Sequence, residues 1–344
     1  MFPSTLANVI RGDTVESVHS GHVAIVDGEG NTIFETGDPQ AVTFFRSASK
    51  PFQLIPVITS GAADAFGFTE AEIALGCASH SGEPVHVEIA RSMLAKAGFT
   101  EDDLHCGIQL PFNEHEAERM LKAGEQPTQL HNNCSGKHAA MLALARHIDA
   151  DPASYESISN PVQYRALGCV ADFTELASER IKLGIDGCSV PNFAVPVRAM
   201  ARSFARLVRP AKLDDLVQAA SDRVVAAMTK YPELIGGTNR LDTMLMRAAA
   251  GRIVSKVGAD GVWCCGVVPS GRYRSGLGIA VKVADGDDHR GRPVIAVSIL
   301  KQLGLISSEA LPELSPMPIK NRRGNVVGRV ESEVRIAQQS DMPF

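Results

Sequence analysis

A serine and a lysine three residues apart stand at the front of an apolar segment. Ser47 and Lys50 lie in the stretch RSASKPFQL, and Pro51 follows the lysine directly. Residues three apart share one face of a helix, so the amine of Lys50 could reach the hydroxyl of Ser47. Because proline is tolerated only in the first helical turn, Pro51 predicts a helix start close to Ser47, where free backbone N–H groups stabilise an oxyanion. The pattern therefore fits a nucleophilic serine with a lysine base, but Ser-x-x-Lys also arises by chance, and by itself the motif favours a capping serine beside a solvated lysine.

A second polar cluster lies in GCASHSGEP, residues 76–84. Ser79, His80 and Ser81 follow an apolar run at a turn of small residues. Polar residues on such a turn are typical of a pocket wall. A capping turn, with Ser81 as the N-cap of the next helix, explains the same residues, and the sequence leaves both interpretations open.

The most distinctive run is HNNCSGKHAAM, residues 131–141. Cys134 stands at a predicted helix start beside Lys137, and IDGCSVP supplies a second thiol at Cys188. A thiol at a helix N-terminus near a lysine has a lowered pKa, which makes it a nucleophile, a redox site or a metal ligand. The two cysteines with Lys137 or His138 could form a small metal site, and the alternative is two buried thiols under an ordinary helix start.

Two later stretches offer a lysine and a threonine. Lys256 lies on a predicted strand in SKVGADG, where serine acyl-enzymes of the Ser-x-x-Lys type carry a Lys-[ST]-Gly strand, although valine takes the middle position here. The GGT of IGGTNRLDT is similar to the threonine-nucleophile loop of another amidohydrolase class. That loop follows an N-terminal buried strand, whereas this one joins two predicted helices. Thr238 or Asn239 is therefore predicted to be a helix N-cap.

The elements that must position these residues follow from the hydrophobic periodicity. Alternating segments predict strands at about 14–45, around the turn DGEGN, and at about 252–300, where RIVSKV, GVWCCGVVP and GLGIAVKVAD precede a closing helix. The part between them, about 46–250, has helical periodicity, with helix starts at Pro84 and Pro161. The two sets of strands are predicted to share one antiparallel sheet. The fold class is thus α/β, with helices flanking the sheet and an inserted helical subdomain, in a single catalytic domain of residues 1–344.

Composition narrows the classes of function. The chain has 344 residues, is 44% hydrophobic and carries a formal net charge of −5 with its basic residues dispersed, so neither nucleic acid nor a membrane is expected as a partner. It has no apolar run of transmembrane length and no signal-peptide pattern at its start. Because no export signal is present, the seven scattered cysteines are expected to be reduced thiols, and a cytoplasmic location is expected.

Taken together, the clusters resemble one family. RSASKPFQ, GCASHSGEPVH, HNNCSGKHAAML, DGCSVP, GGTNRLDT and KVGADGV are similar in order and spacing to the rhizobial-type, class 3 L-asparaginases, also described as thermolabile or asparaginase II proteins. The resemblance runs from about residue 20 to 330. It implies a fold like that of serine β-lactamases and glutaminases, and hydrolysis of L-asparagine to L-aspartate and ammonia by a homodimer.

The resemblance also assigns roles to residues. The catalytic positions it implies are two Ser–Lys pairs, Ser47 with Lys50 and Ser79 with Lys256. The positions implied to bind substrate are Arg46, His80, Asn133 and Asp186. The metal positions are Cys134, Lys137 and Cys188, with zinc as the expected ion and no organic cofactor.

The expected mechanism is an acyl-enzyme route. Neutral Lys50 takes the proton of Ser47, whose oxygen attacks the side-chain amide carbon of asparagine, and water then hydrolyses the ester. The residues leave open whether Ser47 or Ser79 attacks. Alternative functions are a glutaminase or β-lactamase-like serine hydrolase, a threonine amidohydrolase using Thr238, and a non-catalytic metal- or redox-sensing protein built on Cys134 and Cys188.

Overall fold

The computed structural model describes residues 2–336 of the chain. Its strands are β1 Ser4–Arg11, β2 Thr14–Asp27, β3 Thr32–Thr36, β4 Val42–Phe44, β5 Lys182–Ile185, β6 Pro191–Pro196, β7 Ile253–Gly258, β8 Val262–Val267, β9 Leu277–Val283, β10 Met317–Lys320 and β11 Val326–Ser332. Its α-helices are α1 Lys50–Thr59, α2 Ala62–Ala65, α3 Glu70–Gly76, α4 Pro84–Lys96, α5 Glu114–Ala123, α6 Ser135–His147, α7 Pro161–Thr174, α8 Val197–Val208, α9 Asp215–Lys230, α10 Pro232–Ile235, α11 Leu241–Ala249 and α12 Gly291–Gln302. A 3₁₀ turn, Arg46–Ser49, directly precedes α1.

Two compact units divide the described chain. Within the described range, the first unit comprises residues 2–48, 195–209 and 244–336, and the second comprises residues 49–194 and 210–243. The first unit therefore gathers both ends of the chain, and the second is almost entirely helical. The prediction of a single catalytic domain stays a prediction.

An eight-stranded sheet forms the body of the first unit. Its strand order is β10-β11-β1-β2-β9-β8-β7, with β3 paired to β2, and the neighbouring pairs are antiparallel. The central β2–β9 pairing sets Ile25 opposite Ile279, which joins a strand from the start of the chain to one from its end. The shared antiparallel sheet predicted from the sequence is confirmed, and with it the α/β class. The strands β1, β10 and β11 and the helix α8, which packs on β9, β2 and β8, were not predicted. The strands β5 and β6 lie within residues 46–250, a segment that was predicted to be helical.

Helix α6 lies at the centre of the second unit. Every residue from Ser135 to Ala145 is buried, and the helix packs against α1, α3, α4 and α7. A helix that is buried on all sides is a core helix, and the alanines of α6 allow the neighbours to approach closely. The predicted starts of α4 at Pro84 and of α7 at Pro161 are confirmed. Asn160 caps α7 by accepting a hydrogen bond from the backbone N–H of Val162.

No helix within residues 2–336 has both the length and the apolar character needed to cross a lipid bilayer.

Candidate active site

Lys50 and Ser79 make a buried hydrogen-bonded pair in the second unit. The Nζ of Lys50 lies 2.9 Å from Ser79 Oγ, and it donates to the carbonyl oxygens of Ala78 at 2.6 Å and Asn133 at 3.2 Å. Lys50 is 1% exposed and Ser79 is 4% exposed. The two carbonyls can only accept, whereas the hydroxyl can donate or accept. The contact with Ser79 is therefore the one through which the amine can exchange a proton with a side chain.

The local sequence explains why this pair forms. Lys50 is the first residue of α1, and Ser79 follows the end of α3 with its backbone N–H bonded to Ile235 O at 2.9 Å. Asn133 precedes α6, whose start lies directly against the end of α3. A Cβ at Gly136 would come within 2.5 Å of Leu75 O, so only glycine permits this approach. Three helix ends thus meet around one lysine.

The predicted residues of the first unit lie on two neighbouring segments. Lys256 is fully buried on β7, and Gly258, two residues later, packs directly on the carbonyl oxygen of Phe45. Ser47 lies in the 3₁₀ turn after Phe45, so the α-helix begins three residues later than Ser47 itself. Arg46 has a φ of 51°, a left-handed conformation that is uncommon outside glycine and is concentrated at functional sites. The pairings of Ser47 with Lys50 and of Ser79 with Lys256 stay predictions.

A second lysine in the second unit contacts two thiols. Lys137 Nζ donates to Cys188 Sγ at 3.2 Å, and Cys134 and Cys188 are hydrogen-bonded to each other. The hydrogen bond to Cys188 and burial raise the pKa of Cys134 to about 12. The hydrogen bond from Cys134 and the charge of Lys137 outweigh burial and hold the pKa of Cys188 well below its usual value. The sequence predicted a lowered pKa for Cys134, and this was wrong: the pKa of Cys134 is raised, and the lowered pKa of the pair is that of Cys188.

The three metal positions implied by the resemblance therefore lie together. Within residues 2–336, no group of three or more histidine, cysteine, aspartate or glutamate side chains is arranged to hold a metal ion. Two sulfurs and one amine do converge, and they fit zinc if the amine of Lys137 gives up its proton. The alternative ligand His138 instead bonds the hydroxyl of Tyr155 through Nδ1, at 2.6 Å. Zinc stays a prediction.

His80 is held inside the protein by both ring nitrogens. Its Nδ1 accepts from the backbone N–H of Gly82, so Nε2 carries the proton that is directed at Ser135 Oγ, 2.9 Å away. Burial, reinforced by the neighbouring His86, places the pKa of His80 well below its usual value. Burial also lowers the pKa of His86, whose ring stacks on that of His80 with the ring centroids 4.9 Å apart. His80 thus braces the turn that bears Ser79, and its predicted contact with substrate stays untested.

Asn133 and Asp186 come from two loops of the second unit. Asn133 accepts the thiol of Cys134 at 3.2 Å through its side chain, while its main-chain oxygen accepts from Lys50. Asp186 follows β5 in the hairpin with β6, and its backbone N–H bonds Val190 O. The same hairpin loop carries Cys188. One short loop therefore presents both a predicted substrate carboxylate and a predicted metal ligand.

Two capping predictions need correction. Ser81 is not the N-cap of α4, because the helix begins at Pro84 and Glu83 is its N-cap. Ser81 instead donates to Glu83 at 2.8 Å. Neither Thr238 nor Asn239 is the N-cap of α11, because that helix begins at Leu241. Thr238 is instead bonded to Glu83, through both its backbone N–H and its hydroxyl. Glu83 was missed from the sequence, although an acidic residue directly before a helix-initiating proline is a detectable signal.

Comparison with known proteins comes from sequence families and solved structures. The sequence profile of L-asparaginase II matches residues 7–332. No curated protein matches the chain by sequence. Among solved structures, a probable glutaminase from Bacillus subtilis complexed with 6-diazo-5-oxo-L-norleucine is 12% identical, covering 83% of this chain and 85% of its own, with a TM-score of 0.40. A Bacillus glutaminase in 4.3 M NaCl is 13% identical, covering 83% and 92%, with a TM-score of 0.43.

Proposed function

The chain belongs to the L-asparaginase II family, and from that premise we propose that it hydrolyses L-asparagine to L-aspartate and ammonia. Membership makes the protein an amidohydrolase, and asparagine as the substrate is our proposal. The observation that supports it best is the buried contact between Lys50 and Ser79, with two backbone carbonyls on the same amine. This contact supplies the acid–base group that amide hydrolysis by a serine requires.

The hydrogen-bond pattern of Lys50 explains how it would act as a base. A neutral amine has two protons and one lone pair. In that neutral form the carbonyl oxygens of Ala78 and Asn133 would take the two protons, and the lone pair would face the hydroxyl of Ser79. Lys50 is thereby held in the orientation in which it accepts a proton from a serine.

We assign the attack to Ser47, the serine of the expected mechanism, although the sequence alone leaves Ser47 and Ser79 open. Ser47 keeps part of its surface exposed, whereas Ser79 is 4% exposed, and a nucleophile must be reached by substrate. The oxygen of Ser47 forms a bond to the side-chain amide carbon while its proton passes to the Ser–Lys network. The carbon–nitrogen bond then breaks, and ammonia leaves with a proton from that network. Water adds to the resulting β-aspartyl ester and releases aspartate and the serine.

The substrate's charged groups need partners of opposite sign. We propose that Arg46 binds the α-carboxylate and that Asp186 binds the α-ammonium group, since both are half-buried charges, Arg46 in the 3₁₀ turn and Asp186 in the loop between β5 and β6. The Cys134, Lys137 and Cys188 cluster would hold zinc, which supplies a fixed positive charge when bound. In that case Lys137 binds through its neutral amine and Cys188 through its thiolate.

Ammonia release by the purified protein tests the proposal. We expect turnover of L-asparagine to exceed that of L-glutamine by roughly 10–200-fold, the usual discrimination for one methylene. A chromogenic β-lactam should not be hydrolysed. Preferred turnover of glutamine or of the β-lactam would replace asparaginase with one of the alternative functions. Sedimentation of the same sample tests the proposed homodimer.

A diazoketone analogue of asparagine identifies the attacking serine. The reagent should label one peptide, and mass spectrometry locates the adduct. We expect it on Ser47. An adduct on Ser79 would reverse the assignment of the two serines while keeping Lys50 as the base.

A further inference from the structure

One half-buried carboxylate, Glu83, collects four hydrogen bonds from two other segments and from its own turn. Its Oε1 accepts from Ser81 Oγ at 2.8 Å, Asn113 Nδ2 at 3.1 Å and the backbone N–H of Thr238 at 2.7 Å. Its Oε2 accepts from the hydroxyl of Thr238 at 3.0 Å. Burial opposes the charge, but these bonds outweigh it and lower the pKa of Glu83, so the group is a carboxylate.

The loop of residues 235–238 lies directly on the turn of residues 79–83. Gly237 has a φ of +107°, and a Cβ there would lie 1.9 Å from Ser81 Oγ. Only glycine allows this contact. The two segments are also joined at the other end, where Ile235 O accepts the backbone N–H of Ser79.

These contacts form a short chain from Glu83 to the proposed proton-transfer pair. Glu83 fixes Thr238, residues 235–238 carry the carbonyl of Ile235, and that carbonyl fixes the backbone of Ser79. The hydroxyl of Ser79 is the group that Lys50 contacts at 2.9 Å. A movement of the 235–238 loop would therefore change the direction of the Ser79 hydroxyl.

We propose that Glu83 is a positioning residue: its carboxylate holds the 235–238 loop on the 79–83 turn and so directs the Ser79 hydroxyl at Lys50. The effect on turnover rests on the proposed function, whereas the effect on backbone order does not. The proposal also explains the function of the GGT stretch, residues 236–238. Thr238 anchors the loop and is not a nucleophile.

The substitution Glu83→Gln separates position from charge. An amide oxygen at the place of Oε1 still accepts the three N–H and O–H donors, and the amide NH₂ can donate to the hydroxyl of Thr238. All four contacts survive without the charge. Glu83→Ala removes all four. A positioning residue therefore predicts rescue by glutamine, and a residue that acts through its charge or its proton predicts none.

Turnover gives the first readout. We expect Glu83→Ala to lower kcat by roughly 10²-fold, the usual cost of a misplaced catalytic group, with little change in KM. Glu83→Gln should stay close to wild type. A glutamine variant as poor as the alanine variant would overturn the proposal, and so would an alanine variant with full kcat.

Amide hydrogen exchange gives a readout that needs no substrate. In Glu83→Ala, the amides of Ser79 and Thr238 should exchange faster, and in Glu83→Gln they should match wild type. Unchanged exchange in Glu83→Ala would overturn the proposal at any level of activity. If wild type hydrolyses no amide while the exchange pattern is as expected, the proposed function fails and the holding role of Glu83 stands.

Two further variants guard against loss of folding. Thr238→Val removes only the bond to Oε2, at an exposed position, and should give a smaller change of the same kind that Thr238→Ser restores. Asp151→Ala is the matched control, since Asp151 caps the turn of residues 152–154 in the same unit. It should leave both kcat and the exchange of Ser79 unchanged.

Discussion

Two lysines are buried in the second unit, and their partners differ in charge. Lys50 begins α1 and bonds two carbonyl oxygens and one hydroxyl, all of them uncharged. Lys137 lies in the first turn of α6 and bonds the thiolate of Cys188. Burial opposes the charge of Lys137, but Cys188 and Cys134 outweigh it and raise its pKa.

The difference shows what partner charge does to a buried amine. An ammonium group paired with an anion is stabilised and stays charged, so Lys137 is suited to hold an anion or, after giving up its proton, a metal ion. The partners of Lys50 are two carbonyl oxygens and one hydroxyl, and the hydroxyl of Ser79 is the partner with which its amine can exchange a proton. The comparison would be wrong if Lys137 were the base and Lys50 held the metal ion or an anion. The following predictions test this assignment.

The attacking serine should carry the largest effect. Ser47→Ala removes the proposed nucleophile, and we expect kcat to fall by about 10⁴-fold or more, with an unchanged melting temperature. Ammonia release under single-turnover conditions measures this. The matched variant Ser79→Ala keeps the nucleophile and should lose less. Equal turnover in Ser47→Ala and wild type would remove Ser47 from the mechanism.

Replacing the lysines one at a time tests the comparison directly. Lys50→Met keeps the length and burial of the side chain but removes the base, and kcat should fall by about 10²–10⁴-fold. Lys137→Met should lower kcat less, because it touches the thiol cluster and not a serine. If Lys137→Met proved the more damaging of the two by kcat, the division of tasks proposed here would be wrong.

Metal content tests the other side of the comparison. Wild type should carry about one zinc per chain by elemental analysis, because two sulfurs and one amine lie together. Cys134→Ser and Cys188→Ser should each lower that content, and Cys188→Ser more, because it removes the thiolate. Cys169→Ser is a control on a buried cysteine outside the cluster. Wild-type protein without stoichiometric metal would end the zinc proposal.

The sequence predicted elements better than partners. The β2–β9 pairing and the starts of α4 and α7 follow from period and capping residues, which are local signals. The spacing of three residues predicts a contact of Lys50 with Ser47, which stays a prediction, whereas the contact of Lys50 with Ser79, twenty-nine residues on, was not predicted. That contact depends on how closely α3, α1 and α6 pack, and spacing does not report packing.

Charge states were harder to predict than positions for the same reason. A helix start beside a lysine indicated a reactive Cys134, but which of two neighbouring thiols keeps the proton depends on the geometry of both. Glu83 shows the same limit. Its place before Pro84 is visible in the sequence, whereas its bonds to Asn113 and Thr238 join residues far apart in the chain.

A buried histidine lies near each of the two lysines, His80 near Lys50 and His138 near Lys137. The dependence of stability on pH should reveal both histidines. Burial lowers the pKa of His80 and of His138 well below the usual value. Below about pH 6.5 these histidines bind protons in the unfolded chain but stay unprotonated in the folded protein. The free energy of unfolding therefore falls as the pH falls. Each should contribute a slope of up to about 1.4 kcal/mol per pH unit.

Urea denaturation between pH 6.5 and 5 measures that slope, and single substitutions give the contribution of each histidine to it. His80→Gln should lower the pH dependence by one histidine's share, and His138→Gln should do the same. The exposed His115 provides a control, since His115→Gln should leave the slope unchanged. If the slope is the same in His80→Gln and wild type, His80 takes up its proton in the folded protein. Its ring could then not accept the backbone N–H of Gly82, and the brace on the Ser79 turn would have to be assigned elsewhere.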